Sequence, residues 1–535
     1  EMCIRDRGKA WAIMGAYNLY RNEHNCHNQY TLNKILKNDW QFDGVVVSDW
    51  GGAHDTDQAV RNGLDMEFGS WTNGLSWGAS NAYDSYYLAR PYLKAIQEGK
   101  YTTRELDEKV RRVLRLFYRT TMNRHRPHGF LCSDGHYATA RQIAEEGIVL
   151  LQNRNRVLPI NTQKVRHVLV VGENAIKMMT VGGGSSSLKV QREISPLQGL
   201  QARLAKDGVE VDFARGYVGD VTGAYNGVTT GQNLEDKRSE AELIAEAVEK
   251  AKAADCVILF GGLNKSDYQD CEGHDRQQYE LPYAQDKLIT ALAAANKNFV
   301  YVNISGNAVA MPWRDKVPAI VQGWYLGSEA GEALTSVLTG DANPSGKLPF
   351  TWVKSLQNVG AHALNTYPGT WRKEGGSKTE GNIIDEEYKE GIYVGYRWAD
   401  REKQRPVFAF GHGLSYTQFA ISNLRADKAS MTAADSITFT VQVKNIGQRA
   451  GSETVQLYVH DAKASVDRPL KELKGFSKVS LQPGESKDVS ITLGKDALSF
   501  YDETTASWKA EPGLFEAWVG NASDNLKLRK SFQLK

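Results

Sequence analysis

Residues 44–52 read Gly-Val-Val-Val-Ser-Asp-Trp-Gly-Gly, an apolar run that ends on one carboxylate, a tryptophan and two glycines. Val45, Val46 and Val47 lie between stretches of helical character rather than between hairpin turns. A short continuous apolar run in that setting reads as a parallel-sheet strand covered on both faces. The neighbours keep the alternation: "AWAIMGAYN" (10–18), a polar loop, a helical "YTLNKILKNDW" (30–40), the strand itself, a helical "AHDTDQAVRNGLD" (53–65) and a further strand at "MEFG" (66–69). Asp49 then stands at the carboxyl end of a parallel strand, where barrel architectures gather their reactive groups, and Gly51 and Gly52 let the backbone turn sharply or approach a ligand. The plainer alternative is that Asp49 caps the helix that follows. Trp50 weighs toward a ligand, since a large ring at a loop tip is costly to leave wet and suits the apolar face of a sugar. Further on, Thr102 and Glu105 have the spacing of a capping box ahead of Leu106, Val110, Val113, Leu114 and Phe117, so a helix is expected there with its apolar face packed on a core.

Residues 120–136 lack periodicity and read as a linker. A second α/β series follows: helix "ATARQIAEEGIVLLQN" (138–153), strands "HVLVVG" (167–172) and "VEVDFA" (209–214), helix "EAELIAEAVEKAKAAD" (240–255), strand "CVILFGG" (256–262), helix "AQDKLITALAAA" (284–295), strands "FVYVNISG" (299–306) and "AIVQGW" (319–324), and helix "EAGEALTSVLTG" (329–340). Such alternation implies an open, mostly parallel sheet with helices on both sides. From about residue 422 the apolar period becomes two, with Pro483-Gly484 and Pro512-Gly513 as turns, and about seven short strands in the last hundred residues imply a β-sandwich of the immunoglobulin or fibronectin type III kind.

With 535 residues the chain exceeds one core and calls for two or three domains. Its 41% hydrophobic, 24% charged and 10% aromatic residues are those of an ordinary globular protein. A net charge of +2 without a Lys/Arg block argues against nucleic acid and anionic membrane as partners and for a small or uncharged one. Cys3, Cys26, Cys132, Cys256 and Cys271 form no CxxC pair, so neither a zinc site nor a disulfide framework is expected. No apolar run reaches the ~18 residues needed to span a bilayer. The opening "MCIRDR" (2–7) is similar to a translated library adaptor, which makes Cys3 suspect and leaves any export signal unread.

A second acidic candidate is "DYQDCEGHDRQQYELP" (267–282), directly after the strand "CVILFGG", where open α/β sheets bind ligands. It holds Asp270, Glu272 and Asp275, with Arg276 as a ready partner, and its bland reading is a solvated acidic loop. Lone carboxylates in sheet-end loops of separate domains suit glycoside hydrolysis. One stays ionised and attacks the anomeric carbon; the other carries a proton for the leaving oxygen, with its pKa raised by burial or by its neighbour.

Taken together, "MGAYNLYRNEHNCHN", "LNKILKNDWQFDGVVVSDWGG", "AVRNGLDMEF", "EEGIVLLQNRNRVLPI", "VVGENA", "GGGSSSL", "CEGHDRQQYELP", "NPSGKLPFTW", "YKEGIYVGYRW", "FAFGHGLSYTQF" and "LKGFSKVSLQPGESK" resemble glycoside hydrolase family 3, in order, from about residue 10 to the end. The resemblance implies that Asp49 is the nucleophile, Glu272 the acid/base with Asp270 as runner-up, Trp50 an aromatic wall at the scissile bond and Tyr17 the hydroxyl beside the nucleophile. The "GGGSSSL" stretch (182–188) lacks the Lys-Ser/Thr of a phosphate loop, and the resemblance makes it a loop near the cleft. It implies a multidomain α/β plus β protein: 1–121 the C-terminal part of a (β/α)8 barrel, 122–140 a linker, 141–355 an α/β sandwich domain with a mostly parallel sheet, 356–421 a connecting segment and 422–535 a fibronectin type III-like domain. The barrel strands that would carry the sugar-gripping Arg and Lys-His are not in the sequence, so the 535 residues alone are expected to be inactive. The implied activity is that of a retaining exo-β-glucosidase on oligosaccharides or glycosides, with a β-xylosidase or a non-catalytic carbohydrate-binding protein as alternatives. The two carboxyl groups of a retaining enzyme lie about 5–5.5 Å apart. No cofactor and no metal are implied, a homo-oligomer is left open, and a periplasmic or secreted location is expected.

Overall fold

Strand burial explains the architecture, and the computed structural model describes residues 8–69, 82–180, 182, 184–186, 188–219, 230–272, 274–373 and 383–535. The "MCIRDR" stretch with Cys3, and Gly183 and Ser187 of the glycine–serine loop, lie outside the described residues. The chain divides into two units, Glu1–Leu131 and Cys132–Lys535.

In the first unit, β1 (Ala12–Met14) pairs parallel with β2 (Val45–Val47), and Val47 makes a single parallel bridge to Met66 in place of the expected strand at 66–69. Val45 and Val46 are wholly buried, Val46 among Leu32, Leu36, Phe42, Ala59 and Leu64. Between the strands, Gln29–Asp39 forms a wide, π-wound helix, and α1 (Thr56–Arg61) and α2 (Arg90–Gln97) follow. The helix expected from residue 102 is α3 (Arg104–Arg119), with two differences. Thr102 Oγ1 donates to the Glu105 carboxylate at 2.9 Å rather than completing a capping box, because Thr103 occupies the cap position in helical geometry. And the apolar face is not covered within this unit, Val110, Leu114 and Phe117 being 44–45% exposed. What reaches inward is Lys109, which donates to the carbonyls of Ala59 and Leu64, and Arg112, which donates to those of Phe42 and Gly44. These cations thread helix to strand by occupying carbonyls that would otherwise be unpaired.

The second unit begins with α4 (Asp134–Gly147), capped by Ser133, so the expected linker ends inside a helix. That helix stops at Gly147, and the "VLLQN" assigned to it is instead β3 (Val149–Asn153), buried over its first four residues. The sheet continues with β4 (His167–Val171), β5 (Glu210–Ala214), β6 (Cys256–Gly262), β7 (Phe299–Ile304) and β8 (Ala319–Gln322), in the order β3-β8-β7-β6-β4-β5. All neighbours are parallel except the edge strand β3, which runs against β8. Side chains of β6 alternate between two cores: Val257 and Leu259 on one face with α6 (Glu240–Ala253) and α7 (Gln285–Ala295), Ile258 and Phe260 on the other with α5 (Pro196–Leu204) and α8 (Ala330–Thr339). Each such side chain contributes about 1.5–3 kcal/mol by leaving water.

The segment 356–421 is short turns and helices, bridged to the sheet domain at Trp352–Phe408, and a largely buried Lys347–Glu453 ion pair of 2.7 Å joins the sheet domain directly to the last one. The final domain starts slightly earlier than expected, with β9 (Phe419–Ala426), followed by β10 (Ser436–Asn445), β11 (Gly451–Asp461), β12 (Glu472–Leu481), β13 (Ser486–Gly494), β14 (Gly513–Gly520) and β15 (Leu528–Leu534). One sheet is β9-β10-β13; the other is β15-β14-β11-β12, with Ser430–Met431 added beside β15. Ile437, Phe439, Val441 and Val443, every second residue of β10, fill the space between them. Among the described residues no helix is long and apolar enough to cross a membrane.

Gly262, at the end of β6, has φ +109°, and a Cβ there would lie 2.2 Å from the Ile304 carbonyl oxygen. Its peptide groups are held by the buried Gln285 amide, which accepts from Gly262 N–H at 2.8 Å and donates to the Gly262 carbonyl at 2.8 Å. Gln285→Leu would leave both main-chain groups buried and unpaired, at about 1–3 kcal/mol each. We expect a fall of about 2–6 kcal/mol in unfolding free energy, read from the urea midpoint; an unchanged midpoint would remove this clamp from the account of β6.

Candidate functional site

Asp49 is half-buried at the carboxyl end of β2. The strand is fixed behind it by Asp65, a buried carboxylate that accepts from Val46 N–H at 2.8 Å and from Lys37 at 2.8 Å. Ser48 points inward, its Oγ accepting from Phe68 N–H at 2.8 Å, which leaves Asp49 as the side chain presented by the turn. The Asp49 carboxylate accepts from the N–H of Trp50 at 2.7 Å, and its main-chain carbonyl accepts from Gly52 N–H at 3.0 Å. It does not cap the next helix: that role belongs to Asp55, which accepts from Gln58 N–H at 2.8 Å. The capping alternative for Asp49 is therefore set aside.

Trp50 is 63% exposed beside Phe68, their rings 6.1 Å apart and inclined by 55°. Tyr17, just after the strand β1, donates its hydroxyl to the Trp50 carbonyl at 2.8 Å, so it braces the turn through main chain. Under the turn sits Cys26, whose burial pushes its thiol pKa up. A Cβ on Gly52 would lie 2.5 Å from Cys26 Sγ, which is why the backbone reaches this position only with glycine. His27, fully buried, accepts from His54 N–H at 3.0 Å, and the His54 ring stacks on His24 at 3.7 Å. Sequence reasoning gave no role to Cys26, His27 or Asp65, whose visible signals were the "NEHNCHN" stretch for the first two and "AVRNGLDMEF" for the third.

In the second unit the loop after β6 distributes its acids unequally. Asp270 accepts from Gly306 N–H at 2.7 Å and from the Tyr325 hydroxyl at 2.9 Å, and it works as a staple that ties the loop to the sheet. Burial, with Asp270 beside it, holds the Tyr325 hydroxyl well above the usual phenol range. Arg276 is not an ion-pair partner on the surface: its guanidinium is drawn in, donates to the Ala308 carbonyl at 2.7 Å, and has its pKa lowered by burial. Asp275 accepts from Tyr367, whose hydroxyl is thereby pushed up to about 12. Glu272 projects into solvent, and its carboxylate accepts from the main-chain N–H of Ser185 in the glycine–serine loop. That contact, strengthened by the Ser185 side chain, holds Glu272 below its ordinary value. The expectation of a raised pKa is thus not met in this arrangement, because donors aimed at a carboxylate stabilise its charged form and little burial opposes them.

Among the described residues, one further set of chemically able side chains assembles on this loop: Asp267, Cys271 and His274. In the "GGGSSSL" stretch, Ser185 meets the loop of Glu272, as a neighbour of the acidic segment.

Sequence profiles of known families match three parts of the chain: the glycosyl hydrolase family 3 N-terminal domain over residues 4–116, its C-terminal domain over 148–416, and a fibronectin type III-like domain over 453–523. A β-glucosidase of Bacteroides ovatus is 47% identical, the match covering 99% of this chain and 69% of that protein. Thermostable β-glucosidase B of Acetivibrio thermocellus is 36% identical, with 99% and 64% covered, and an exo-α-(1→6)-L-arabinopyranosidase of Bifidobacterium breve is 32% identical, with 98% and 63% covered. The chain thus spans about two thirds of the length of these relatives. Among solved structures, the family 3 β-glucosidase of Bifidobacterium adolescentis superposes with a TM-score of 0.84 at 31% identity, covering 100% of this chain and 71% of that one.

The histidines under the Asp49 turn generate a test. Burial lowers the pKa of both His27 and His54, the latter to about 4. Their folded pKa lies below the unfolded value of about 6.5, so the unfolded chain takes up protons first and stability falls as pH drops from 6.5 toward 4. The urea midpoint of the first unit should decline over that window and decline less in His54→Gln; an equal slope in both proteins would overturn the assignment.

Proposed function

Because the chain belongs to glycoside hydrolase family 3, we propose that it is a retaining, exo-acting β-glycosidase that releases β-D-glucosyl residues from the non-reducing ends of oligosaccharides. The observation that carries the reading is the Asp49 carboxylate, which ends a doubly buried strand, has no capping duty and stands beside an exposed indole. The β-glucosidases among its relatives supply the sugar class. In this reading Asp49 attacks the anomeric carbon while Glu272 gives a proton to the departing glycosidic oxygen, which leaves a glycosyl ester on Asp49. Glu272, now ionised, takes a proton from water, the water oxygen displaces Asp49, and two inversions give net retention. Giving up the Ser185 contact would return the Glu272 pKa upward, toward what an acid needs. Trp50 offers its ring to a sugar face, and Tyr17 holds the carbonyl beneath it.

One observation favours pentopyranosides as a second substrate class: the arabinopyranosidase relative. A non-catalytic carbohydrate-binding role is the reading from another class.

The test uses the longest reading frame that contains these residues, assayed on aryl β-D-glucoside, β-D-xyloside and α-L-arabinopyranoside. Asp49→Asn should lower kcat by about 10^3-fold or more. Glu272→Ala should lose about 10^2- to 10^4-fold on poor leaving groups and recover in part with azide or activated leaving groups. Glucoside turnover at wild-type rate by either variant would refute the assignment, and sugar binding without turnover in the wild type would favour the binding protein.

A further inference from the structure

The loop of Glu272 carries a side-chain cluster that hydrolysis does not use. Asp267, Cys271 and His274 bring a carboxylate oxygen, a thiol and an imidazole nitrogen to within 4.8 Å of one another. His274 Nδ1 is 3.5 Å from Asp267 Oδ1, and Cys271 Sγ is 3.9 Å from that oxygen. In a tetrahedral zinc site, metal–ligand bonds of about 2.0–2.3 Å place ligand atoms roughly 3.3–3.7 Å apart. The three atoms therefore need to close by about 1–1.5 Å at most to share a cation.

The thiol has only weak partners, Asp267 Oδ1 and the His274 carbonyl at 3.8 Å. The His274 ring is held in place by stacking on Tyr268, with centroids 4.9 Å apart and planes 25° from parallel. The loop is anchored between Asp267 and Cys271, where Asp270 is stapled to Gly306 and Tyr325, so the ligands sit on a fixed base. A thiolate, a carboxylate and a neutral imidazole total two negative charges, which a divalent cation neutralises. Sulfur and nitrogen select a soft or borderline metal over magnesium or calcium.

We propose that Asp267, Cys271 and His274 form a binding site for a divalent cation of the zinc class, on the loop that carries Glu272. The site is a Cys-x-x-His chelate extended by an aspartate four residues before the cysteine. Asp267 and His274 keep 72% and 50% of their side-chain surface exposed, so water completes the coordination and entry is unobstructed. Binding displaces the thiol proton, which passes to solvent, and forms the metal–sulfur bond in its place. Because Glu272 follows Cys271 directly, an occupied site restrains the backbone on both sides of that carboxylate.

The experiment is optical and needs no turnover, so its result is independent of the hydrolase reading. Cobalt(II) is titrated into the 535-residue chain, and a thiolate-to-metal charge-transfer band should grow to one equivalent and vanish on adding zinc, but not magnesium or calcium. Cys271→Ser should abolish the band; His274→Asn and Asp267→Asn should weaken cobalt binding about 10-fold or more. Cys132→Ser, which changes the exposed cysteine far along the chain, should leave it intact. No band in the wild type, or a band that survives Cys271→Ser, would overturn the site.

Discussion

Strands buried on both faces have no side position for a charged group, and this constraint organises everything else in the molecule. In β6 all seven residues from Cys256 to Gly262 are buried, and in β2 Val45 and Val46 are wholly so. An ionised side chain placed among them would be left without water or a partner. The chain's chemistry is therefore displaced to where the strands stop, at Asp49 after β2 and at the acidic loop after β6. The same logic governs the main chain: Gly262 closes against Ile304 and is clamped by Gln285, so the loop leaves the sheet from a defined point.

Within the acidic loop, the roles of the carboxylates follow from their partners rather than from their order. Asp270 meets a buried tyrosine and a main-chain amide, and a group so tied positions the loop. Asp275 is occupied by Tyr367. Glu272 meets Ser185 of the glycine–serine loop at the surface, an attachment that a ligand can replace. Those donors hold its pKa below the ordinary value, and in the proposed role of general acid they would be exchanged for substrate.

The turn of Asp49 is supported from beneath by small and neutral groups. Cys26 fits against Gly52 and also against Gly15, where a Cβ would lie 2.6 Å from Cys26 Cα. His27 accepts a main-chain bond from His54, which it can do only while that nitrogen is unprotonated. A larger or charged group in these places would push the turn outward and with it the one carboxylate that the strand delivers.

The amino-acid sequence by itself determined the alternation of elements, the period-two strands of the last domain, the placing of Asp49 and Glu272 at strand ends, and the family that so many ordered motifs resemble. These are local properties: periodicity, turn chemistry and short words survive in one dimension. Tertiary structure alone decided that "VLLQN" is an edge strand and not the end of a helix, because its buried side chains and its pairing with β8 outweigh the helical stretch before it. It also decided that Asp55 and not Asp49 caps α1, that Asp270 is a staple, that Arg276 turns inward, and that Cys271 meets His274 and Asp267. Each of these depends on which groups lie within a few ångströms after folding, and the strength of a hydrogen bond, a desolvation or a chelate is set by that distance and not by separation along the chain.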